Sequence, residues 1–318
     1  MKKGQGLRAR GSAGVPPGAE PPRRGIVVAH NGVSVDVRFE TGGPEAVRVK
    51  RRSGHVVGDD VLVRDGVLER LERRTELRRR DALGGVHLVG ANLDVLGIVV
   101  ASFPPPPAGF IDRAVVSARA AGLEPFLVIN KCDLEQGGAS VAGYRATYGD
   151  TLPMHQVSAA TGEGVQGLRR FLAAGHRGAL IGTTGVGKSS LLNVLCPQAG
   201  LKVGGLNTLN YKGCNTTTVA TLHSLPEGGE LVDTPGFQDF GLIDITIADL
   251  AAHFPGFEAA REISCRFSDC RHRSEPGCAV RELAGEGRIC GERFAAYQEL
   301  LREVEAVEEE ARRRGWRN

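Results

Sequence analysis

The chain has 318 residues, 41% of them hydrophobic and 24% charged, with a net charge of only +3. That length has room for two or three domains. The composition is that of a globular protein, and no apolar run approaches the roughly 20 residues that span a bilayer. Met1-Lys2-Lys3 leads into Gly, Arg and Pro rather than an apolar stretch, so no secretory signal is read. A cytoplasmic protein with reduced thiols is expected. The net charge is too small to argue for a nucleic-acid partner by its sum, so any such argument rests on its distribution.

Residues 1–24 are rich in Gly, Pro and Arg without apolar periodicity, which predicts a disordered basic tail. From Gly25 the pattern changes to short apolar alternations: 25–28, 33–39, 46–50, 60–64 and 67–71, with Asn31-Gly32 and Asp65-Gly66 as turn signals. Five short strands in so few residues predict a small β-barrel over 25–85, with an OB-fold as the candidate. Arg48, Lys50, Arg51 and Arg52, followed by Arg70, Arg73, Arg74 and Arg78 to Arg80, would give that barrel a basic face suited to RNA. A solvated charged face is the plainer account of any one of them.

Residues 86–241 read as an α/β unit. Apolar runs at 92–100, 125–129, 154–157 and 179–181 suit buried parallel strands, and 110–121, 139–149, 167–174 and 188–195 suit helices between them. Phe103-Pro-Pro-Pro-Pro107 reads as a stiff connector, and 201–218 as an irregular stretch. Residues 242–318 combine short helical segments around a Cys/His cluster with a final helix from about Gly291 to Arg314, whose apolar stripe includes Phe294, Tyr297, Leu300, Leu301, Val304 and Val307.

The central motif is Gly182-Thr183-Thr184-Gly185-Val186-Gly187-Lys188-Ser189-Ser190, a G-x-x-x-x-G-K-[ST] loop between a predicted strand and a predicted helix. Its glycines allow backbone N–H groups to converge on phosphate oxygens. Lys188 would reach the β- and γ-phosphates, and the Ser189 hydroxyl would bind Mg²⁺. Asn130-Lys131-Cys132-Asp133 follows a buried strand. A carboxylate at Asp133 accepts from both N1–H and the 2-amino group of guanine, whereas adenine would leave it unpaired, which disfavours an ATPase. Asn130 can bond the base edge at N7, the Lys131 stem can cover the ring, and Ser158-Ala159 sits where a backbone N–H could meet O6. Asp233-Thr-Pro-Gly236 follows a further apolar strand: Asp233 can hold a Mg²⁺-bound water, and the Gly236 N–H can meet the γ-phosphate. One hydroxyl of Thr216, Thr217 and Thr218, with Thr217 the one assigned, would cap Mg²⁺, although the sequence does not choose among the three. The base-reading segments precede the phosphate loop, so the motif order is rotated relative to ordinary GTPases. The Asp233 segment then feeds directly into the Cys/His region, which suggests that nucleotide state moves that region relative to the barrel.

Cys265, Cys270, His272 and Cys278 offer three thiolates and one imidazole at x4, x and x5 spacing, a full tetrahedral set for one structural Zn²⁺ with no open position for catalysis. Arg266, Arg271 and Arg273 beside them would face phosphate.

Together these residues resemble the circularly permuted, ribosome small-subunit-dependent GTPases of bacteria, the RsgA or YjeQ-like family. The resemblance spans about residues 25–301, with Asp233-Thr-Pro-Gly-Phe237 and Ser268-Asp-Cys-Arg-His272 among its supports. It implies a GTP hydrolase stimulated by the 30S subunit, acting in late small-subunit maturation through 16S rRNA, with one zinc ion and Mg²⁺–GTP. A monomer is expected. One departure is visible. The family's Gly-x-His-Thr-Thr segment is here Gly213-Cys214-Asn215-Thr216-Thr217, and Asn215 can orient a water but cannot take its proton. Phe237 follows Gly236 where Ras-like enzymes carry a Gln, and Gln238 is one place later. Slow intrinsic hydrolysis, with the ribosome completing the site, is therefore expected. The alternative is a non-catalytic or very slow GTP-sensing RNA-binding module.

Overall fold

A computed structural model of the chain describes residues 21–80, 85–135, 137–201, 220–233 and 241–315. Strands β1 (Arg23–His30), β2 (Ser34–Phe39), β3 (Glu45–Arg48), β4 (Asp60–Arg64) and β5 (Val67–Arg70) form the N-terminal barrel. β1 pairs with β2 on one side and β4 on the other, β2 pairs with β3, and β4 with β5, all antiparallel. β3 lies beside β5, which closes the ring in the order of an OB-fold. The alternation seen in the sequence is the reason: Val27, Val35, Val37, Phe39, Val47 and Val61 all point into one small core.

A hairpin follows, β6 (Glu76–Arg80) with β7 (Val86–Ala91). The expected division between 85 and 86 falls inside it. Arg73, just before it, clamps the hairpin to the barrel through a bidentate pair with the fully buried Asp59, at 2.6 and 3.0 Å.

The second unit is a doubly wound sheet. Its strands are β8 (Val95–Ala101), β9 (Glu124–Asn130), β10 (Met154–Gln156), β11 (Arg177–Ile181), β12 (Thr221–Ser224) and β13 (Glu230–Asp233), in the spatial order β10-β9-β8-β11-β13-β12. All pairings are parallel except β12 with β13. β8 is buried at every position, as a central parallel strand must be. Helices α1 (Phe110–Ala120) and α2 (Gly137–Tyr148) pack on one face, and α3 (Val165–Ala173) and α4 (Lys188–Leu195) on the other. Strand order reverses between β8 and β11, so the loops leaving their carboxyl ends diverge and open a crevice there.

β12 lies just beyond the stretch 201–218 expected to be irregular, where no strand was expected. It also joins the two units, because Thr221 pairs with Ala29 of β1 just after a bulge between Val27 and Ala29. Side chains reinforce this seam. Arg38 on β2 and Arg177 on β11 converge on Glu230, Arg177 at 2.7 Å, and Arg38 also reaches Ser224 at 2.6 Å.

The C-terminal unit holds α5 (Ile247–His253), α6 (Glu258–Ile263), α7 (Ala279–Gly285) and α8 (Gly291–Gly315) around Phe254, Phe257, Tyr297 and Leu301, with Val116 of α1 joining the same core. α1 also carries the ionic contacts to it: Arg113 forks onto Glu303 at 2.7 and 2.6 Å, and Arg119 reaches Glu258 at 2.8 Å. No helix among the described residues is long and apolar enough to cross a membrane.

Candidate nucleotide site and metal centre

The phosphate loop leaves β11 at the point of strand-order reversal, and α4 begins at Lys188. The glycines are dictated by neighbours. A Cβ on Gly187, which has φ of +94°, would lie 2.4 Å from Asn130 Nδ2, and one on Gly182 would lie 2.4 Å from the Val99 carbonyl. Val186 is fully buried and anchors the loop to the core. Lys188 Nζ donates to the Gly182 and Thr183 carbonyls at 2.6 and 3.1 Å. Burial lowers its pKa to about 8, partly opposed by the nearby carboxylate of Asp233 at the end of β13. The buried Thr183 Oγ1 has no hydrogen-bond partner among the described residues. An ammonium bonded to carbonyl oxygens, a hydroxyl without a partner among the described residues and a glycine cradle fit a bound polyphosphate.

The base-reading segments meet this loop through one side chain. Asn130 is 2% exposed; its Nδ2 donates to Val186 O at 2.8 Å, and its Oδ1 accepts from Ala159 N at 3.0 Å. Three motifs separated in sequence are thus held by one amide. The second Nδ2 hydrogen is the one left for a base N7, while the backbone N–H groups of Ser158 and Ala159, between them expected to offer a donor for O6, bond here to the Glu163 carbonyl and to Asn130 Oδ1. Ser158 is fully buried, and its Oγ accepts from Thr161 N at 3.1 Å, which shapes the loop. Lys131 sits at a positive φ of 63° and extends its Nζ to the Phe103 carbonyl at 2.9 Å. Burial lowers the pKa of Lys131, and Asp133 opposes this. Cys132 bonds through its amide to Val157 O at 3.2 Å, and burial, then Glu163, raises its thiol pKa.

A cavity of about 480 Å³ opens between Asn130, Lys131, Asp133, Ala159, Gly187 and Ser190. Phe103 and Leu134 also line it. The first was read from sequence only as part of a connector, and neither was singled out. Ser189 and Ser190 lie half-buried at the start of α4. Asn215, Thr217 and Gly236, with Thr216, Thr218, Phe237 and Gln238, lie outside the described residues.

In the C-terminal unit the donor atoms of Cys265, Cys270, His272 and Cys278 all lie within 4.8 Å of one another. His272 turns its Nδ1 inward, 3.5 Å from Cys265 Sγ and 3.3 Å from Cys278 Sγ. Burial, and then the neighbouring Cys278 and Cys265 thiols, push Cys270 up to about 12, so its thiol keeps its proton unless a cation takes its place. The set can hold a metal ion. Glu275 braces the loop between ligands. Burial alone would raise its pKa, but backbone N–H groups of Arg271, Arg273 and Ser274 hold it at about 2. α8 clamps the same loop through Tyr297 OH to Arg271 O at 3.3 Å and Gln298 Nε2 to His272 O at 2.9 Å.

Of the basic residues assigned to an RNA face, Arg48, Lys50, Arg51 and Arg52 are exposed on the barrel. Arg73 is committed to Asp59 and Glu76, and Arg78 to Glu76 and Asp244. Those two serve the fold.

A phosphate loop, a guanine-type reader bonded to it, and their rotated order in a doubly wound sheet define the class: a circularly permuted P-loop GTPase. A family model described as RsgA GTPase matches residues 70–243. The small ribosomal subunit biogenesis GTPase RsgA of Azotobacter vinelandii is 41% identical over 88% of this chain and 85% of its own length. That of Pseudomonas syringae pv. tomato is 40% identical with the same coverage. The crystal structure of YjeQ from Thermotoga maritima superposes with a TM-score of 0.72 at 31% identity, covering 89% of this chain and 99% of that one. The structure of YloQ, described as a circularly permuted GTPase, superposes at 0.67 and 22% identity and supports the fold. The chain belongs to the RsgA GTPase family, and it is a GTP hydrolase of that family.

Proposed function

We propose that this chain hydrolyses GTP to GDP and phosphate on the 30S ribosomal subunit, in the cytoplasm, as a monomer acting late in small-subunit maturation. The reading rests on Asn130, whose two amide atoms join the phosphate loop and the Ser158–Ala159 loop around one cavity. Division of labour follows the chain: the barrel of 25–85 and the Cys/His unit from 242 contact 16S rRNA, and the unit between them carries GTP.

In this mechanism, Lys188 leaves the Gly182 and Thr183 carbonyls and moves its charge onto the β- and γ-phosphates. The N–H groups of residues 182–190 cradle the same oxygens, and together they stabilise charge as the phosphoryl group transfers. Mg²⁺, when bound, supplies further neutralisation of that charge. Ser189 and Asp233 would hold it, with Thr217 as the third residue. Asp133 accepts from N1–H and the 2-amino group of guanine, the Lys131 stem covers the ring, Asn130 meets N7, and Cys132, Ser158 and Ala159 shape the slot. Asn215 and Gly236 belong to the γ-phosphate side, where Asn215 would orient the attacking water without accepting its proton. Cys265, Cys270, His272 and Cys278 would hold Zn²⁺, since three thiolates and an imidazole suit a closed tetrahedral ion.

Phosphate release from purified protein, measured with and without 30S subunits alongside co-sedimentation, tests this. Slow release alone, accelerated by 30S particles that carry the protein into the pellet, is expected. Fast release without particles contradicts ribosomal completion of the site. Co-sedimentation without any release favours the GTP-sensing RNA-binding module, the reading suggested by Asn215 in place of a His.

A further inference from the structure

A doubly wound sheet binds its ligand between the two loops that diverge where strand order reverses, here those after β8 and β11. The loop after β11 carries the phosphates' motif. The loop after β8 begins Ser102-Phe103 and continues into four prolines, which fix its backbone. Phe103 is 50% exposed, although it lines the same cavity as Asn130, Lys131 and Asp133. Its position is set by Lys131, whose Nζ bonds the Phe103 carbonyl at 2.9 Å. Leu134, 43% exposed, lines that cavity as well. Two large apolar side chains are thus left in solvent beside the hydrogen-bonding edge of the slot. A planar aromatic ligand seated there would cover them.

We propose that Phe103 is a base-stacking residue, whose ring forms an aromatic wall of the purine slot and sets nucleotide affinity without reading the base's identity. This rests on the guanine-binding reading above and adds a second, chemically distinct contribution. Asp133 selects the 2-amino group through hydrogen bonds, and Phe103 contributes π-face contact that every purine offers equally.

Three measurements on the full chain test it. Phe103→Ala should raise the Kd for GDP by roughly five- to a hundredfold, the range that base–aromatic stacking supplies. It should raise the Kd for inosine diphosphate, which lacks the 2-amino group, by the same factor, whereas Asp133→Asn should collapse the preference for GDP. A merely structural loss is recognised by a lowered Tm of the nucleotide-free variant, which half-exposed Phe103 should not cause. Phe103→Trp, made with Trp316→Phe to remove the chain's single native indole, should show emission that changes saturably with GDP. Phe103→Ala binding GDP within about twofold of wild type, below the stacking range, would overturn the proposal. So would a loss confined to GDP, or indole emission indifferent to bound GDP. Wild-type protein that binds no guanine nucleotide is a separate outcome, and it would remove the function reading together with this one.

Discussion

In the proposed function Asp133 and Lys188 act at opposite ends of one ligand, and each makes its own prediction. A carboxylate accepts from both guanine N–H groups, whereas an amide keeps one acceptor and sets a donor against the other N–H, so Asp133→Asn should weaken GDP binding by roughly two orders of magnitude. The same change should admit xanthosine diphosphate, whose 2-oxo group suits an amide donor; competition against labelled GDP and XDP checks it. Lys188 has a folded pKa of about 8, below its ordinary value, because it is buried. Bound phosphates favour its charged form, so GDP binding near pH 8.5 should take up a proton, and near pH 6.5 it should not. Calorimetry in two buffers of different ionisation enthalpy measures that uptake. The sign for stability is the reverse of a gained salt bridge. The unfolded chain holds this proton more tightly, so the contribution of Lys188 to nucleotide-free stability rises as pH climbs from about 8 towards its ordinary value. Motif chemistry names both residues in the sequence. The structural duty of Asn130 was not legible there, since its partners Val186 and Ala159 lie far off in sequence. Phe103 hid in a proline run, where nothing local distinguishes a wall from a connector.

At the level of elements, the strands of the barrel and the central sheet were legible from alternation and from continuous apolar runs. β6 and β12 were not. Only Leu77 is buried in Glu-Leu-Arg-Arg-Arg and only Leu222 in Thr-Leu-His-Ser, so partners across the ladder, rather than apolar pattern, hold those strands. α8 was read from its stripe, but the way its first turn docks was not. Arg293 is buried over the Tyr148 ring, donates to Thr151 Oγ1 at 3.1 Å, and stands 3.9 Å from the buried Asp112. Burial raises Asp112 to about 6, although Arg293 and the Tyr148 hydroxyl oppose it. Replacing the guanidinium by Arg293→Met should therefore cost more at high pH. Losing Arg293 removes the charge that holds this carboxyl down, so the variant's Asp112 takes a proton more readily and at low pH sheds its unpaired charge; at high pH the variant should lose roughly 3 kcal/mol. Urea denaturation of both proteins at pH 5.5 and 8 gives the comparison, and an equal loss at both values would contradict the pairing.

Across the whole molecule, the Cys/His cluster and the nucleotide slot are built on separate cores, one around Phe254 and Tyr297 and the other around Val99 and Leu191. Stripping the metal with a strong chelator should release the loop of 265–278 from α8 and lower helix content, because ligand binding energy is folding energy at such a site. GDP affinity should stay within about twofold, as expected of distant independent sites. Circular dichroism and fluorescent-GDP titration on the same sample read both. Three-unit organisation was visible in composition and motif order. The seams were not, because Arg38 with Glu230, Arg113 with Glu303 and Arg119 with Glu258 join residues more than a hundred positions apart.

The rung between Ala29 and Thr221 has one last implication. Severing the chain after the barrel would strip β12 of its outer neighbour and bare the far half of β1, leaving each piece with a raw margin of amides and carbonyls. Such margins recruit whatever strand comes next. Fragments made for separate study should therefore clump with their own copies, whereas the intact polypeptide keeps both margins covered by each other.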